Sequence, residues 1–262
     1  MDVIPAQLRR ERILSVVRDR EFVRVADLSA MFGISEVTIR SDLDHLAGQG
    51  SLQRVHGGAV VRDPRPHKER AFEESLGAWA EEKAAIGRYA ASLVSPGETI
   101  ILDVGTTTAA VAQALVQRED LSDVVVFTSG LTLALELEKA IPRLAVVVTG
   151  GTLRPLQHSL VDPMADCILE AVNVSTAFIG CNGVHPELGV TNVNLPEAAV
   201  KRRMVQAAQR CVVVADGSKI GNISVVKIAD LDSVDLVVTG ASAPPEALGE
   251  LRRRGTEIRV AS

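Results

Sequence analysis

The stretch ISEVTIRSDLDHLAGQGSLQRVHGGAV, residues 34–60, decides how the N-terminal part of the chain folds. Ile39, Leu43 and Leu46 recur at i, i+4 and i+7, the spacing of one helix face. Ser35 is placed to cap that helix, because its hydroxyl can accept an otherwise orphaned amide of the first turn. Glu36 adds negative charge at the positive end of the helix dipole. The spacing predicts a helix over 36–48, ended by Gly48 and Gly50, and LQRVHGGAV then reads as two short strands about the Gly57-Gly58 turn.

Upstream, Gly33 tolerates the left-handed backbone that stops a helix, here one over 25–32 carrying Val25, Leu28, Ala30, Met31 and Phe32. In QLRRERILSVVRDR the residues Leu8, Ile13, Leu14 and Val17 lie at near-helical spacing, which predicts a first helix over 6–19. Two short helices about a glycine turn, then a small hairpin, have the proportions of a winged helix-turn-helix.

With Ile39, Leu43 and Leu46 facing inward, Glu36, Val37, Thr38, Arg40 and Ser41 fall on the outer side near the start of the third helix. That end of a recognition helix enters the major groove of double-stranded DNA. Arg40 can fork a guanine or hold a phosphate, Thr38 and Ser41 can donate to phosphate, and Val37 can touch a thymine methyl. Arg54 and His56 in the wing are placed for the backbone or the minor groove. The plain alternative is a three-helix packing module with solvated polar residues; the serine cap, the wing and the segment that follows argue against it.

That segment, RDPRPHKER at 62–70, holds two prolines and, counting His67, five basic side chains, which neither pack nor continue a helix or strand well. It predicts a linker over 62–75 between a module at 1–61 and a larger domain at 76–262. Beyond residue 83, apolar runs alternate with helical stretches: TIILDV (99–104), DVVVFT (123–128), LAVVVTG (144–150), STAFIG (175–180), CVVVAD (211–216) and DLVVTG (235–240). Near-continuous Val, Ile and Leu imply strands covered on both faces, hence a mostly parallel, doubly wound α/β domain.

In ETIILDVGTTTAAVAQAL a strand passes through Gly105 into Thr106, Thr107 and Thr108 and then a helix. Such a turn gathers backbone N–H groups at the positive end of a helix, which suits a phosphate. Asp103 stands at the carboxyl end of the strand, where open α/β sheets bind ligands. An ordinary strand-to-helix turn with threonine caps is the bland alternative. Other strands end in similar turns, at Thr128, at Gly150, at Gly180 to Asn182, and at Asp216 to Lys219, and a parallel sheet gathers them at one edge. Lys201, Lys219 and Arg154 are the candidate cations for an anion held there. Glu197 and Lys201 stand four apart, so they are either two pocket residues or a surface pair worth about 0.3 kcal/mol.

Composition narrows the function. The 262 residues are 47% hydrophobic and 23% charged, which excludes a disordered or fibrous chain. Aromatics are only 3%, too few for a surface that stacks unpaired bases. No apolar run approaches a membrane span, and MDVIPAQLRRER lacks the features of a secretion leader, so a cytoplasmic protein is expected. Cys167, Cys181 and Cys211, and His45, His56, His67, His158 and His185, show no metal-ligand or triad spacing. There is no P-loop and no G-x-G-x-x-G, so no cofactor and no metal are expected. The net charge of −5 divides unevenly: residues 1–70 hold 12 basic and 10 acidic side chains, the remainder 16 and 23. Residues 1–70, carrying only +2, grip phosphates weakly, so a homo-oligomer, dimer or tetramer, is expected on repeated half-sites.

ISEVTIRSDLDHL followed by LQRVHGGAV resembles the DeoR-type winged helix-turn-helix, whose pattern commonly reads S-x-x-T-I-R-R-D-L and then L-x-R-x-H-G-G-A. Ser41 replaces the second arginine. Residues 76–235 resemble the DeoR-type effector domain, itself similar to ribose-5-phosphate isomerase, through EEKAAIG, DVGTTT, TSG, TGG, FIGCNGV, NLPEAAVKRRM and ADGSKIG. The resemblance implies an effector pocket lined by Asp103, Gly105, Thr106, Thr107, Thr108, Thr128, Gly150, Asn182, Glu197, Lys201 and Lys219. Asp162 stands where glycine is frequent, near the expected sugar end of that pocket, and Gly217 and Ile220 where serine and phenylalanine are common. The implied function is a transcriptional repressor of a carbohydrate operon, bound to double-stranded operator DNA and released by a phosphorylated sugar. Two other functions fit the same residues: a sugar-phosphate isomerase with a DNA-binding appendage, using Asp103 or Glu197 as base, and an activator with a vestigial sensor.

Overall fold

A computed structural model describes residues 6–20, 22–48, 52–55, 57–61 and 69–262. His56 and residues 62–68 of the expected linker lie outside the described residues. The chain divides into two compact units, Met1–Pro66 with Gly77–Trp79 and His67–Leu76 with Ala80–Ser262.

In the first unit, α1 (Ala6–Arg20), β1 (Phe22–Arg24), α2 (Val25–Phe32), α3 (Glu36–Gly48), β2 (Leu52–Val55) and β3 (Gly58–Val61) follow one another. Gly33 takes φ +64 and ends α2, and Ser35 Oγ accepts the Thr38 amide at 3.2 Å, so both boundaries arise from local chemistry. Ile13, Val17, Val25, Leu28, Ile39, Leu43 and Leu46 form its core. Leu8 and Met31, expected on the apolar faces, are 43% and 46% exposed instead. The wing has a third strand that the sequence reading did not contain: β1 pairs with β3, giving the antiparallel order β1-β3-β2.

The second unit opens with α4 (Phe72–Leu76), so part of the stretch expected to be linker packs, with Phe72 buried. Then come α5 (Ala80–Ser92), β4 (Thr99–Leu102), α6 (Thr106–Gln117), β5 (Val124–Thr128), α7 (Leu131–Leu137), β6 (Leu144–Val148), β7 (Thr152–Arg154), β8 (Ser159–Val161), α8 (Met164–Ala171), β9 (Val174–Gly180), β10 (Gly183–His185), β11 (Gly189–Asn192), α9 (Leu195–Gln206), β12 (Ala208–Val214), β13 (Val226–Ala229), β14 (Leu236–Gly240), α10 (Pro245–Arg253) and β15 (Ile258–Ala261). All six expected core strands are present, within a seven-stranded sheet of order β15-β14-β12-β9-β4-β5-β6 whose every pairing is parallel. Ile100 and Leu102 face one apolar layer and Ile101 the other, which is why the run reads as continuously hydrophobic. The edge strand β15, the hairpin β7-β8 and the small sheet β10-β11-β13 are additions to the sequence reading.

The strand order places the site. From β4 the chain proceeds outward to β5 and β6, then returns to lay β9 on the other side of β4. The crevice beyond the carboxyl ends of β4 and β9 is therefore the topological switch point, where ligands of open sheets bind.

Candidate functional site

Two sets of residues stand out, one on each unit. On the first, α3 buries Ile39, Leu43 and Leu46, while Ser35, Glu36, Val37, Arg40 and Ser41 are exposed and Thr38 is half-buried. Val37 is 72% exposed, far more than an aliphatic side chain with a packing role would be. Arg40 lies against Glu36 one turn back, at 2.6 Å, and Thr38 Oγ1 shares a 2.9 Å hydrogen bond with Ser35. Arg54 Nε meets Asp44 at 3.3 Å, and its buried Nη1 has no hydrogen-bond partner among the described residues. Asp42, not singled out from sequence, is buried on the same helix between Arg9 and Arg10, at 2.6 and 2.8 Å. Its i+3 offset from Ile39 is the signal that it shares the inward face.

On the second unit, Asp103 follows β4 and is fully buried at the switch point. Its Oδ2 accepts the Gly180 amide at 2.9 Å and the Lys201 ammonium, which also donates to Gly180 O at 3.1 Å. Its Oδ1 is buried with no partner among the described residues. Burial pushes the Asp103 carboxyl above the usual carboxylate range; Lys201 pulls it down without cancelling that, and the charge of Glu197 adds to the rise.

Glu197 and Lys201 are not a surface pair. Both are buried, at 5% and 3% exposure, and each binds a different partner: Lys201 takes Asp103, while Glu197 accepts from Arg154 and from Ser159 Oγ at 2.5 Å. Asn194 caps α9 by accepting the Glu197 amide at 3.0 Å, which fixes the helix start that aims both side chains inward. Arg154 also forks Glu69.

Gly105 adopts φ +142, open only to glycine, and this sharp entry sets the first turn of α6 beside Asp103. Thr106 is half-buried; Thr107 and Thr108 are buried, and Thr108 Oγ1 donates back to Gly105 O at 2.9 Å. A Cβ on Gly180 would lie 3.3 Å from Val104 O and 3.7 Å from Thr108, so the ends of β4 and β9 and the start of α6 converge. Lys219 joins them: its charge and that of Lys201 reach Cys181, whose thiol burial pushes up to about 12. Thr128 closes its own turn by accepting the Gly130 amide, and Gly130 bridges to Ser159, which links the end of β5 to Glu197.

Three further residues make local contacts of their own or none. Gly150, at φ +74, faces Met164. Asn182 is exposed and latches its loop by accepting the Val193 amide at 2.9 Å. Asp162 is exposed at the end of β8. Gly217 has a physical reason for departing from serine, because a Cβ there would lie 2.2 Å from Ala243 N. Ile220 is buried in the core. Neither Asp103 nor Glu197 stands free as a base, since each already neutralises a cation. Among the described residues no cluster of metal-ligating side chains occurs, and no helix is long and apolar enough to cross a membrane.

A DeoR-like helix-turn-helix domain model matches residues 9–65, and a DeoR C terminal sensor domain model matches residues 79–241. A putative aga operon transcriptional repressor of Escherichia coli O157:H7 is 35% identical over 251 residues, 95% of this chain and 92% of that protein. The HTH-type transcriptional regulator GlpR of Haloferax volcanii is 34% identical over 256 residues, 98% of each. Among solved structures, ribose 5-phosphate isomerase A of Methanocaldococcus jannaschii aligns over 56% of each chain with TM-score 0.41 and 19% identity.

Proposed function

Because the chain belongs to the DeoR family, a family of transcriptional regulators and not of enzymes, we propose that it represses a carbohydrate operon and releases its operator when a phosphorylated sugar binds the larger unit. The observation that carries this reading is α3, whose apolar residues are all inward except Val37, exposed beside Arg40 and Ser41 on the first two turns. An aliphatic tip flanked by a guanidinium and a hydroxyl suits a major groove that offers thymine methyls, guanine edges and phosphates.

The effector side rests on Asp103. A buried carboxylate oxygen without a donor is worth about 1–3 kcal/mol to whatever supplies one, and a sugar hydroxyl does so. The groups available to its phosphate are the first-turn amides of α6 and the candidate cations Lys201, Lys219 and Arg154. Effector and operator then compete through a coupling of about 1–3 kcal/mol, the typical range for linked sites. A single small reading unit covers few base pairs, so two or four copies act together in a homo-oligomer.

Fluorescence anisotropy with the DNA upstream of the gene tests the first half. Arg40→Ala and Arg54→Ala should each weaken binding by about 1–3 kcal/mol, and retained tight binding by the double variant would sink the assignment. A thermal-shift screen of sugar phosphates tests the second: an undiminished response in both Lys219→Ala and Asp103→Ala would remove the effector from this crevice.

A further inference from the structure

Arg154, the last residue of β7, holds two carboxylates at once. Its Nη1 and Nη2 fork Glu69 at 3.1 and 2.7 Å, and the same Nη1 donates to Glu197. Glu197 lies one turn of α9 from Lys201, so Arg154 touches the Asp103 cluster through one carboxylate and the stretch 69–76 through the other. That stretch is fastened to the turn after β7 at three more points. Gln157 Nε2 donates to Arg70 O at 2.5 Å, His158 Nε2 lies 2.6 Å from Glu73 Oε1, and the His158 ring meets Phe72 edge-on at 5.8 Å. In sequence this strap is bounded on both sides by residues of the N-terminal unit, Met1–Pro66 and Gly77–Trp79.

The local charge is set against an incoming anion. Glu69 and Glu197 both face Arg154, two carboxylates for one guanidinium, with no side chain more than 17% exposed. A phosphate entering that field meets net negative charge unless a carboxylate leaves. Asp103 and Glu197 are built into the end of β4 and into α9, whereas Glu69 lies outside any helix or strand, at the start of the strap. A guanidinium fork accepts carboxylate and phosphate with the same bidentate geometry, so the exchange preserves its hydrogen bonds.

We propose that Glu69 is a built-in stand-in for the anionic group of the effector: the ligand phosphate takes the Arg154 fork, Glu69 is expelled, and the strap 69–76 lets go of the β7-β8 hairpin. The inference rests on the reading of the Asp103–Lys201 crevice as the effector site. Arg154 then binds the ligand, and Glu69 sets the affinity by competing with it.

The full-length protein is titrated by calorimetry with inorganic phosphate and, separately, with glucose 6-phosphate, while hydrogen exchange is followed over residues 69–76. Glu69→Gln should bind either probe roughly 5- to 10-fold more tightly, because the competing state no longer reduces the competent fraction. Its 69–76 amides should exchange faster than the wild type's without ligand, and saturating probe should move the wild type toward that rate. Arg154→Gln should bind at least about tenfold more weakly, as loss of a charge-assisted fork implies. Tighter binding cannot come from damage to the fold, so Glu69→Gln keeps the test decisive if Arg154→Gln fails to fold. Wild-type binding with unchanged exchange over 69–76, or unchanged or weaker binding by Glu69→Gln, overturns the strap and leaves the crevice standing. Failure of both probes to bind any variant overturns crevice and strap together.

Discussion

Asp42 and Asp103 are both buried carboxylates facing cations, and the two units finish them differently. Asp42 gives one oxygen to Arg9 and the other to Arg10. Asp103 gives Oδ2 to Gly180 and Lys201 and leaves Oδ1 without a donor. Burial works to raise the pKa of Asp42, but the hydrogen bonds and charges of the two arginines together reverse it and hold the carboxyl below its ordinary 3.8. At Asp103 burial wins over Lys201. A saturated carboxylate is a joint, and one left half-saturated inside the protein still wants a donor, which is why we propose Asp103 as a ligand-binding group. The N-terminal unit keeps its joint inside and its proposed reading residues outside, so shape and the proposed recognition separate. In the larger unit the proposed function asks the same buried residues to do both.

Removing the joint should have the largest effect. Asp42→Ala leaves Arg9 and Arg10 facing a small cavity where their shared acceptor stood, and breaking a buried pair in this way costs about 3–5 kcal/mol. A small module has little more than that to lose, so its thermal transition and operator binding should disappear together. A loss below about 1 kcal/mol would mean that these pairs behave like surface pairs and that the contrast with Asp103 is false.

Acid should reproduce part of that loss, and with opposite sign in the two units. The folded pKa of Asp42 lies below its unfolded value, so its contribution is complete above the ordinary 3.8 and drains away as pH falls through that value and below. The folded pKa of Asp103 is raised, so its contribution favours the folded state at low pH and is lost as pH rises through that folded value. Melting of the full chain against pH, with and without Asp42→Ala, isolates the first term: the acid-induced drop of the N-terminal transition should shrink in the variant.

Asp103→Asn should act mainly on binding. Asparagine keeps the shape and can still accept from Gly180 and Lys201, so stability should change by about 1–2 kcal/mol. At Oδ1, however, an acceptor becomes a donor, and the thermal shift given by the best sugar phosphate should fall to background. A full response in this variant would show that Oδ1 faces no ligand group.

The sequence disclosed what local chemistry controls. Helix α2 ends where Gly33 puts it and α3 begins at the Ser35 cap, and the six inner strands announce themselves as apolar runs. Strands β1 and β7, three residues each and partly exposed, and β15, an edge strand, lack that signature. Asp103, Lys201 and Glu197 were visible as candidates from the turn and helix that carry them. Their pairing was not, because Asp103 meets Lys201 across 98 positions and Glu69 meets Arg154 across 85. A helix as polar as NLPEAAVKRRM looks solvated until the crevice that receives its charged face is known.

The smallest effect expected tests whether recognition on α3 is as independent of the fold as its exposure suggests. Ser41 is exposed on the same edge as Val37 and Arg40, at the position where the DeoR pattern carries a second arginine. Ser41→Arg touches none of Ile39, Leu43 or Leu46, so stability should stay within about 0.5 kcal/mol. Nearby Asp44 is already engaged by Arg54 at 3.3 Å, which leaves the new guanidinium available to a phosphate. One added phosphate contact steepens the dependence of log affinity on log salt by about 1, measurable by anisotropy between about 50 and 200 mM salt. An unchanged slope with unchanged stability would mean that position 41 points away from the duplex, confining the reading edge to Val37 and Arg40. A changed melting temperature would mean that the outer face of α3 carries part of the fold, and the contrast between the two units would lose its basis.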